Sequence, residues 1–483
     1  MDKEISLGEI LRIEDSSEVL NIKCQQTGIP LWAIARIPFF RFILGDLLYK
    51  VPVFDTGGAF GGRFGFRRTM TMARAFVHNA LFGYGSRKEY PIMLMSTGAR
   101  LLKHGEAYFN ALSDPFVSLA KDSTLTIEDL SGSKWPFPRY YDGVLIHAPL
   151  RAAAVISGRL ASISYEEPVR ILVDLISQRA KDCIGWEIDP KRKSWLIQFC
   201  MHRSASLFPR YLKYKSIYKR FGTRLLIKEE ACYGGADNAA AILAAKNLGI
   251  VTAEYQHGAV SSGHDAYNFA PAISASRAYR EILPDYFLTY GSWWADQINA
   301  PVRKVVVGNP SRANSSNIPS TFTSCVPVAL ILGDGIETCM YIDFCIRLQR
   351  SLGSRVKVVF RPHPMERARV EVLIRHECRQ QVSINVHQDI YSSFRGVNAV
   401  IGEISTGLFD AIEFVPSVYV WNTHKARFGF PVHPFQTFSD IDELVKLLTT
   451  EGGARGSTLE INDIWAPDWQ KNYQSFITLN AQL

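Results

Sequence analysis

The chain has 483 residues, 47% of them hydrophobic and 21% charged, with a formal net charge of +8. This length allows two or three domains of about 100–200 residues each, and the composition excludes a disordered or fibrous chain. Eight cysteines, none in C-x-x-C spacing, exclude a zinc knuckle or a thioredoxin-type site and suit a reducing compartment.

The first twenty residues are charged and lack the apolar core of a signal peptide. The most membrane-like stretch, "LWAIARIPFFRFILGDLL" (31–48), is interrupted by Arg36 and Arg41. That predicts a core or interfacial helix rather than a span. The expected location is cytoplasmic, at the inner face of the cytoplasmic membrane. "GGAFGGRFGFRR" (57–68) carries arginines and aromatics but no folded RNA-binding signature, and reads as a mobile loop.

The next segments alternate between apolar, β-rich runs and helical patterns. Strands are predicted at 90–97, 141–148, 223–228 and 249–255. Residues 191–224 hold ten Lys or Arg and no Asp or Glu, with apolar residues between them. Such a stretch suits an anionic surface or substrate, or a solvated helical face. "GGADNAAAILAAKNL" (234–248) favours helix, with Asp237 or Asn238 placed to cap it. Strand, helix and strand in this order predict a parallel sheet.

Further strands are expected at 284–291 and 302–309. The Ser-, Asn- and Pro-rich run 310–324 reads as a linker. Beyond it, strands at 326–335, 355–364, 398–406 and 416–422 begin a second set. "SDIDEL" (439–444) reads as a capped helix start rather than a metal-binding D-x-D. The fold class is therefore α/β, with two Rossmann-like, doubly wound domains facing a cleft. The domains are expected at 1–312 and 313–460, with 461–483 a terminal helix that packs back on the first. Ligands should lie at the carboxyl ends of the strands.

Four stretches place reactive groups at those ends. In "FRPHP" (360–364), Arg361 and His363 lie in a loop stiffened by prolines, which suits a phosphate ester. In "GEISTGLFDAI" (402–412), Ser405 and Thr406 precede a predicted helix, whose N-terminus favours a phosphate. In "LGDGIET" (332–338), Gly333, Asp334 and Gly335 form a turn that a nucleotide could approach, followed by Glu337. It is neither a Walker loop nor a full G-x-G-x-x-G. In "EYQHGAVSSGH" (254–264), His257 follows a strand of the first domain. With Glu230 or Asp237 beside the neighbouring strand, it could supply a general base. No His/Cys/carboxylate set has metal-ligand spacing.

In this order, Q-H-G after a strand, a G-D-G turn, R-x-H-P and a Ser–Thr pair before a helix resemble the bacterial GT-B glycosyltransferases of surface polysaccharide assembly. The likeness extends to the sialyltransferase- and Kdo-transferase-like groups, and to the CDP-glycerol polyol-phosphate transferases. It implies a metal-independent glycosyltransferase of capsule or O-antigen synthesis, with no cofactor beyond a nucleotide-sugar donor, CMP-linked to an acidic sugar. The implied acceptor is a glycan or lipid-linked glycan, with peripheral contact at the inner membrane and no nucleic acid. On this resemblance His363, Ser405 and Thr406 hold the donor phosphate and Arg361 assists. Gly333–Gly335 line the nucleotide, with Glu337 on its ribose or base side. His257 sits at the reaction centre. Glu230, Asp237 and His257 remain the candidate bases. A polyol-phosphate transferase and a non-catalytic anion-binding protein are the alternatives.

Overall fold

The computed structural model describes residues 4–53, 66–84, 88–98, 100–130, 135–313, 326–376, 382–387, 389–450 and 459–482. Most of the Gly-rich loop at 57–68 and of the linker at 310–324 lies outside the described residues.

The first domain contains β1 (Ile92–Ser96), β2 (Leu101–His104), β3 (Ala107–Asn110), β4 (Thr124–Glu128) and β5 (Val144–Ile146). It continues with β6 (Leu225–Lys228), β7 (Val251–Tyr255), β8 (Tyr286–Thr289) and β9 (Arg303–Val306). β2 and β3 form an antiparallel hairpin. The other seven make one parallel sheet in the order β5-β4-β1-β6-β7-β8-β9. Side chains alternate between its faces, as a period of two requires. Met93, Met95 and Leu226 face the helices Leu207–Phe221 and Gly235–Lys246. Ile92, Leu94, Leu225 and Ile227 face the terminal helix Trp469–Ala481 through Trp469, Tyr473 and Phe476.

The second domain holds β10 (Val328–Leu332), β11 (Lys357–Arg361), β12 (Ser383–Ile384), β13 (Ala399–Gly402), β14 (Ser417–Trp421) and β15 (Gln436–Phe438). All pairings are parallel, in the order β12-β11-β10-β13-β14-β15. Ala329 and Ile331 pack on the helix Thr338–Leu352, while Leu330 and Leu332 pack on the opposite side. Both sheets are thus covered on both faces, and together they form the GT-B arrangement of two Rossmann-like domains. Strand order reverses between β1 and β6 in one sheet and between β10 and β13 in the other. Crevices at such reversals are where open α/β sheets take ligands.

The domains meet through contacts that need small residues. A Cβ on Gly263 would stand 1.8 Å from the Phe428 carbonyl oxygen. Ser261 Oγ donates to the Gly429 carbonyl. The Phe409 ring lies 4.8 Å from Trp293 and 4.6 Å from Trp294, centroid to centroid. One apolar cluster therefore runs through both domains, from Ile34 and Trp294 to Leu330 and Phe409.

The membrane-like stretch becomes a buried helix, Trp32–Leu44. Arg36 is 1% exposed and donates to both Glu14 carboxylate oxygens at 2.6 and 2.9 Å, and to the Asp265 and Asn268 carbonyls. A core, not an interface with lipid, explains its hydrophobicity. Among the described residues no helix is long and apolar enough to cross a membrane. "SDIDEL" caps the helix Ile441–Thr449, with Asp440 accepting from the Glu443 N–H at 2.8 Å.

Candidate active site

The carboxyl end of β7 turns directly toward the second domain. A Cβ on Gly258 would lie 3.9 Å from Thr406 Oγ1. The loop carrying His257 therefore abuts the loop that follows β13. His257 and Thr406, from different sheets, share one cleft.

His257 is held by two neighbours. Its Nδ1 lies 3.5 Å from Tyr267 Oη, and its Nε2 lies 3.9 Å from Glu230 Oε1. Tyr267 gives its only hydroxyl proton to Glu254 Oε1 at 2.7 Å. Its oxygen is left to accept from an Nδ1–H, so the Nε2 lone pair faces Glu230. Burial lowers the imidazole's pKa, and the Arg100 charge adds to this against the opposing pull of Glu229. The imidazole is therefore neutral and able to accept a proton.

Glu230 stands at the end of β6 with φ +58°, a left-handed conformation that a non-glycine residue holds at a cost of about 1–2 kcal/mol. Burial, then the Glu229 carboxylate next to it, raises its carboxyl to about 7. Lys228 and Arg41 act in the opposite sense. A carboxyl poised near neutrality beside an imidazole is a pair that takes and gives protons.

Asp237 does not join them, and its expected role as a base is corrected here. Its carboxylate accepts from Arg210 and from Tyr214 Oη at 2.8 Å, and lies 3.4 Å from His147 Nε2. Burial opposes its charge, but His147, Arg210 and Lys228 outweigh that and hold the carboxyl well below its usual range. A carboxylate so stabilised is a poor proton acceptor. Nor does it cap its helix. Gly234 is the N-cap, and Asn238 instead donates to the Glu230 carbonyl at 2.6 Å, fixing the strained residue.

Across the cleft, β11 leads into the loop that carries His363. Its Nδ1 accepts from the Met365 N–H at 3.3 Å, which leaves Nε2–H as a donor. Burial, with the Arg100 guanidinium beside it, pushes its pKa down to about 4. Glu366 is fully buried and fixes this loop by accepting from the His363 N–H and Thr338 Oγ1, each at 2.7 Å. The glycines of the G-D-G turn serve the same loop. A Cβ on Gly335 would stand 2.8 Å from His363 Nδ1, and one on Gly333 would stand 2.0 Å from Glu366 Oε1. Their open sides are filled by protein and hold His363 in place.

Three other expectations change. Arg361 is buried, and its NH1 donates to Asn385 Oδ1, the His387 carbonyl and Ser393 Oγ at 2.6–2.9 Å. It ties β11 to the loop after β12 instead of reaching a ligand. Ser405 Oγ accepts from the Gly407 N–H at 3.1 Å and is an N-cap of a helix only five residues long. The dipole expected there is correspondingly small. Glu337 and Asp334 do not reach into the cleft unaccompanied. Both meet Lys425 Nζ, at 2.5 and 2.7 Å, and Glu403 does so at 2.6 Å. These three carboxylates are spaced as metal ligands would be, but the ammonium stands among them. Burial opposes the lysine's charge, and Glu403 and Asp334 more than restore it, raising its pKa.

Arg100 is the cleft residue that sequence reasoning missed. It lies four residues past β1 and is exposed; its carbonyl accepts from the Ala111 N–H at 3.0 Å, and its side chain has no hydrogen bond or ion pair among the described residues. Its charge is felt by His257 from one domain and by His363 and Asp410 from the other. Its cation thus acts on both imidazoles, one from each domain. No local motif marks it, because the residues it serves lie far away in sequence.

No family model matches the sequence, and no curated protein matches it. Solved structures resemble it at low identity. The Staphylococcus aureus MnaA–UDP co-structure gives a TM-score of 0.46 at 11% identity, over 81% of this chain and 96% of that one. Acinetobacter baumannii MurG gives 0.38 at 11%, over 81% and 99%. The wall teichoic acid polymerase TagF gives 0.38 at 10%, over 86% and 93%. Likenesses this distant lend no residue role to the chain.

Proposed function

We propose that the chain is a glycosyltransferase that moves a sugar from a nucleotide donor to an acceptor hydroxyl, with a CMP-linked acidic sugar as the donor. The observation that carries this reading is the approach of Gly258 to Thr406, which makes one cleft of a proton-accepting pair and an anion cradle. In this reading Arg100, the His363 Nε2–H and the Thr406 hydroxyl receive the donor phosphate. As the glycosidic bond breaks, negative charge grows on the leaving nucleotide, and fixed donors aimed at it lower the barrier. The electron pair of the acceptor oxygen attacks the anomeric carbon, and its proton passes to the Glu230–His257 pair. One cation and two neutral donors match a single phosphate better than a pyrophosphate, which favours the nucleoside monophosphate leaving group.

A thermal-shift panel of CMP, CDP, UDP, GDP and ADP on the wild type and His363→Ala tests the donor side. Stabilisation by cytidine nucleotides, lost in the variant, is expected. A preference for uridine or guanosine would replace the donor. Product analysis separates a glycosidic bond from the phosphodiester that a polyol-phosphate transferase would form.

A further inference from the structure

Two neighbouring helices of the first domain are turned the wrong way out for a solvated surface. In the helix Phe66–His78, Thr71 and Ala75 are buried, and so is Asn79 just beyond it. Met70, Ala73 and Val77, three or four residues apart, face out on the opposite side, and Leu81 follows one turn on. Val77 is 57% exposed and Leu81 66%. The helix His147–Leu160 repeats the pattern. His147, Leu150, Ala154 and Gly158 are buried, while Ala153, Ile156 and Leu160 face out. Ile156 is 59% exposed and Leu160 81%, and the exposed Ile163 continues the strip on the turn that follows. The two helices pack on one another. Asn79 fixes them at the edge strand β5, donating to the Ile146 carbonyl at 2.8 Å and accepting from the Ile146 N–H at 2.9 Å.

The charges on these helices have one sign. Residues 56–88 hold six Lys or Arg and no Asp or Glu, and residues 147–165 hold Arg151 and Arg159 and no Asp or Glu. Arg67, Arg74 and Arg159 are exposed. Behind Gly158, where a Cβ would lie 2.6 Å from the His202 carbonyl oxygen, stand the helices Pro190–Ala205 and Leu207–Phe221, which carry the basic run 191–224. Solvated helix faces are polar, so an exposed aliphatic strip marks a contact surface. Its charge decides the partner. Symmetric pairing with a second copy would set these arginines against their own counterparts. An acidic bilayer supplies phosphate headgroups for the guanidinium groups and acyl chains for the strip. The stretch 31–48 takes no part, because its helix is buried in the core.

We infer that the face formed by the helices Phe66–His78 and His147–Leu160 docks on the surface of an anionic phospholipid bilayer, lying at the headgroup level without crossing it. The inference does not depend on the reaction assigned to the cleft. The test is co-sedimentation of the full chain with vesicles of phosphatidylglycerol and phosphatidylcholine in equal parts, and with vesicles of phosphatidylcholine alone. The proteins are the wild type, Val77→Gln, Leu160→Gln and, as an exposed apolar position on the terminal helix, Leu479→Gln. The wild type and Leu479→Gln should sediment with the mixed vesicles and much less with the neutral ones, and added salt should weaken the binding. Val77→Gln and Leu160→Gln should each bind about tenfold more weakly, the worth of one buried aliphatic side chain. Both change an exposed side chain, so they should melt with the wild type. Should one be poorly folded, the other, on a separate helix, carries the same comparison. No sedimentation of the wild type with the mixed vesicles, equal sedimentation with the neutral ones, or wild-type binding by the folded variants would overturn the inference. A dimer in solution that Val77→Gln dissociates would overturn it too, by giving the face to a second copy.

Discussion

Gly258 meets Thr406 across the cleft, with room for one van der Waals contact and no more between a Cβ at 258 and the threonine hydroxyl. Five residues on, Gly263 allows no side chain at all, because the Phe428 carbonyl occupies that space. Gly263→Ala should force the domains apart and cost about 1–3 kcal/mol, as overpacking does. Chemical denaturation measures the loss. Small-angle scattering should show a larger radius of gyration.

Arg100→Ala separates binding from stability. The side chain is exposed and unpartnered among the described residues, so stability should stay within about 0.5 kcal/mol of the wild type. Nucleotide affinity should fall by about 1.5–3 kcal/mol, roughly 10- to 100-fold, the worth of a hydrogen bond to a charged group. Calorimetry reads both the affinity and the stoichiometry.

Glu230 gives a pH signature with a definite sign. Its carboxyl is raised from 4.5 to about 7 on folding. Between those values the folded chain holds a proton that the unfolded chain has released. Stability from this group therefore falls as pH rises from about 4.5 through about 7. Glu230→Gln should remove that decline, seen as a flatter profile of melting temperature against pH. His363 acts in the opposite sense. Its depressed pKa means stability is lost as pH falls from 6.5 toward about 4, and His363→Gln should lessen that loss.

Lys425 is 4% exposed and holds three carboxylates together. Lys425→Met leaves them uncompensated and should destabilise the protein by about 3–5 kcal/mol. The penalty should shrink at acid pH as the carboxyls take up protons, which urea unfolding at two pH values would show.

The parallel strands were legible because burial on both faces writes them as apolar runs, as in "PIMLMS" and "VALIL". β4 was not, because Thr124 and Thr126 make "TLTIE" look polar although every residue of it is buried. β12 and β15, two and three residues long, are too short to show a period. His257, Glu230 and His363 stood out as polar groups where strands end. Their supporting partners did not, because folding brings them from afar: Lys425 is 91 residues from Asp334. Arg361 misled for the same reason, since the groups that engage it come from the loop after β12.

The most direct measurement is phosphorus NMR of the wild type, Glu230→Gln and His363→Ala incubated with CMP-linked acidic sugar and a glycan acceptor. Growth of a CMP resonance with the wild type, slowed at least 100-fold in both variants, is the expected result. Undiminished release by Glu230→Gln and His363→Ala, or no release by the wild type with any nucleotide sugar, would contradict a transfer reaction in the cleft where the two sheets meet.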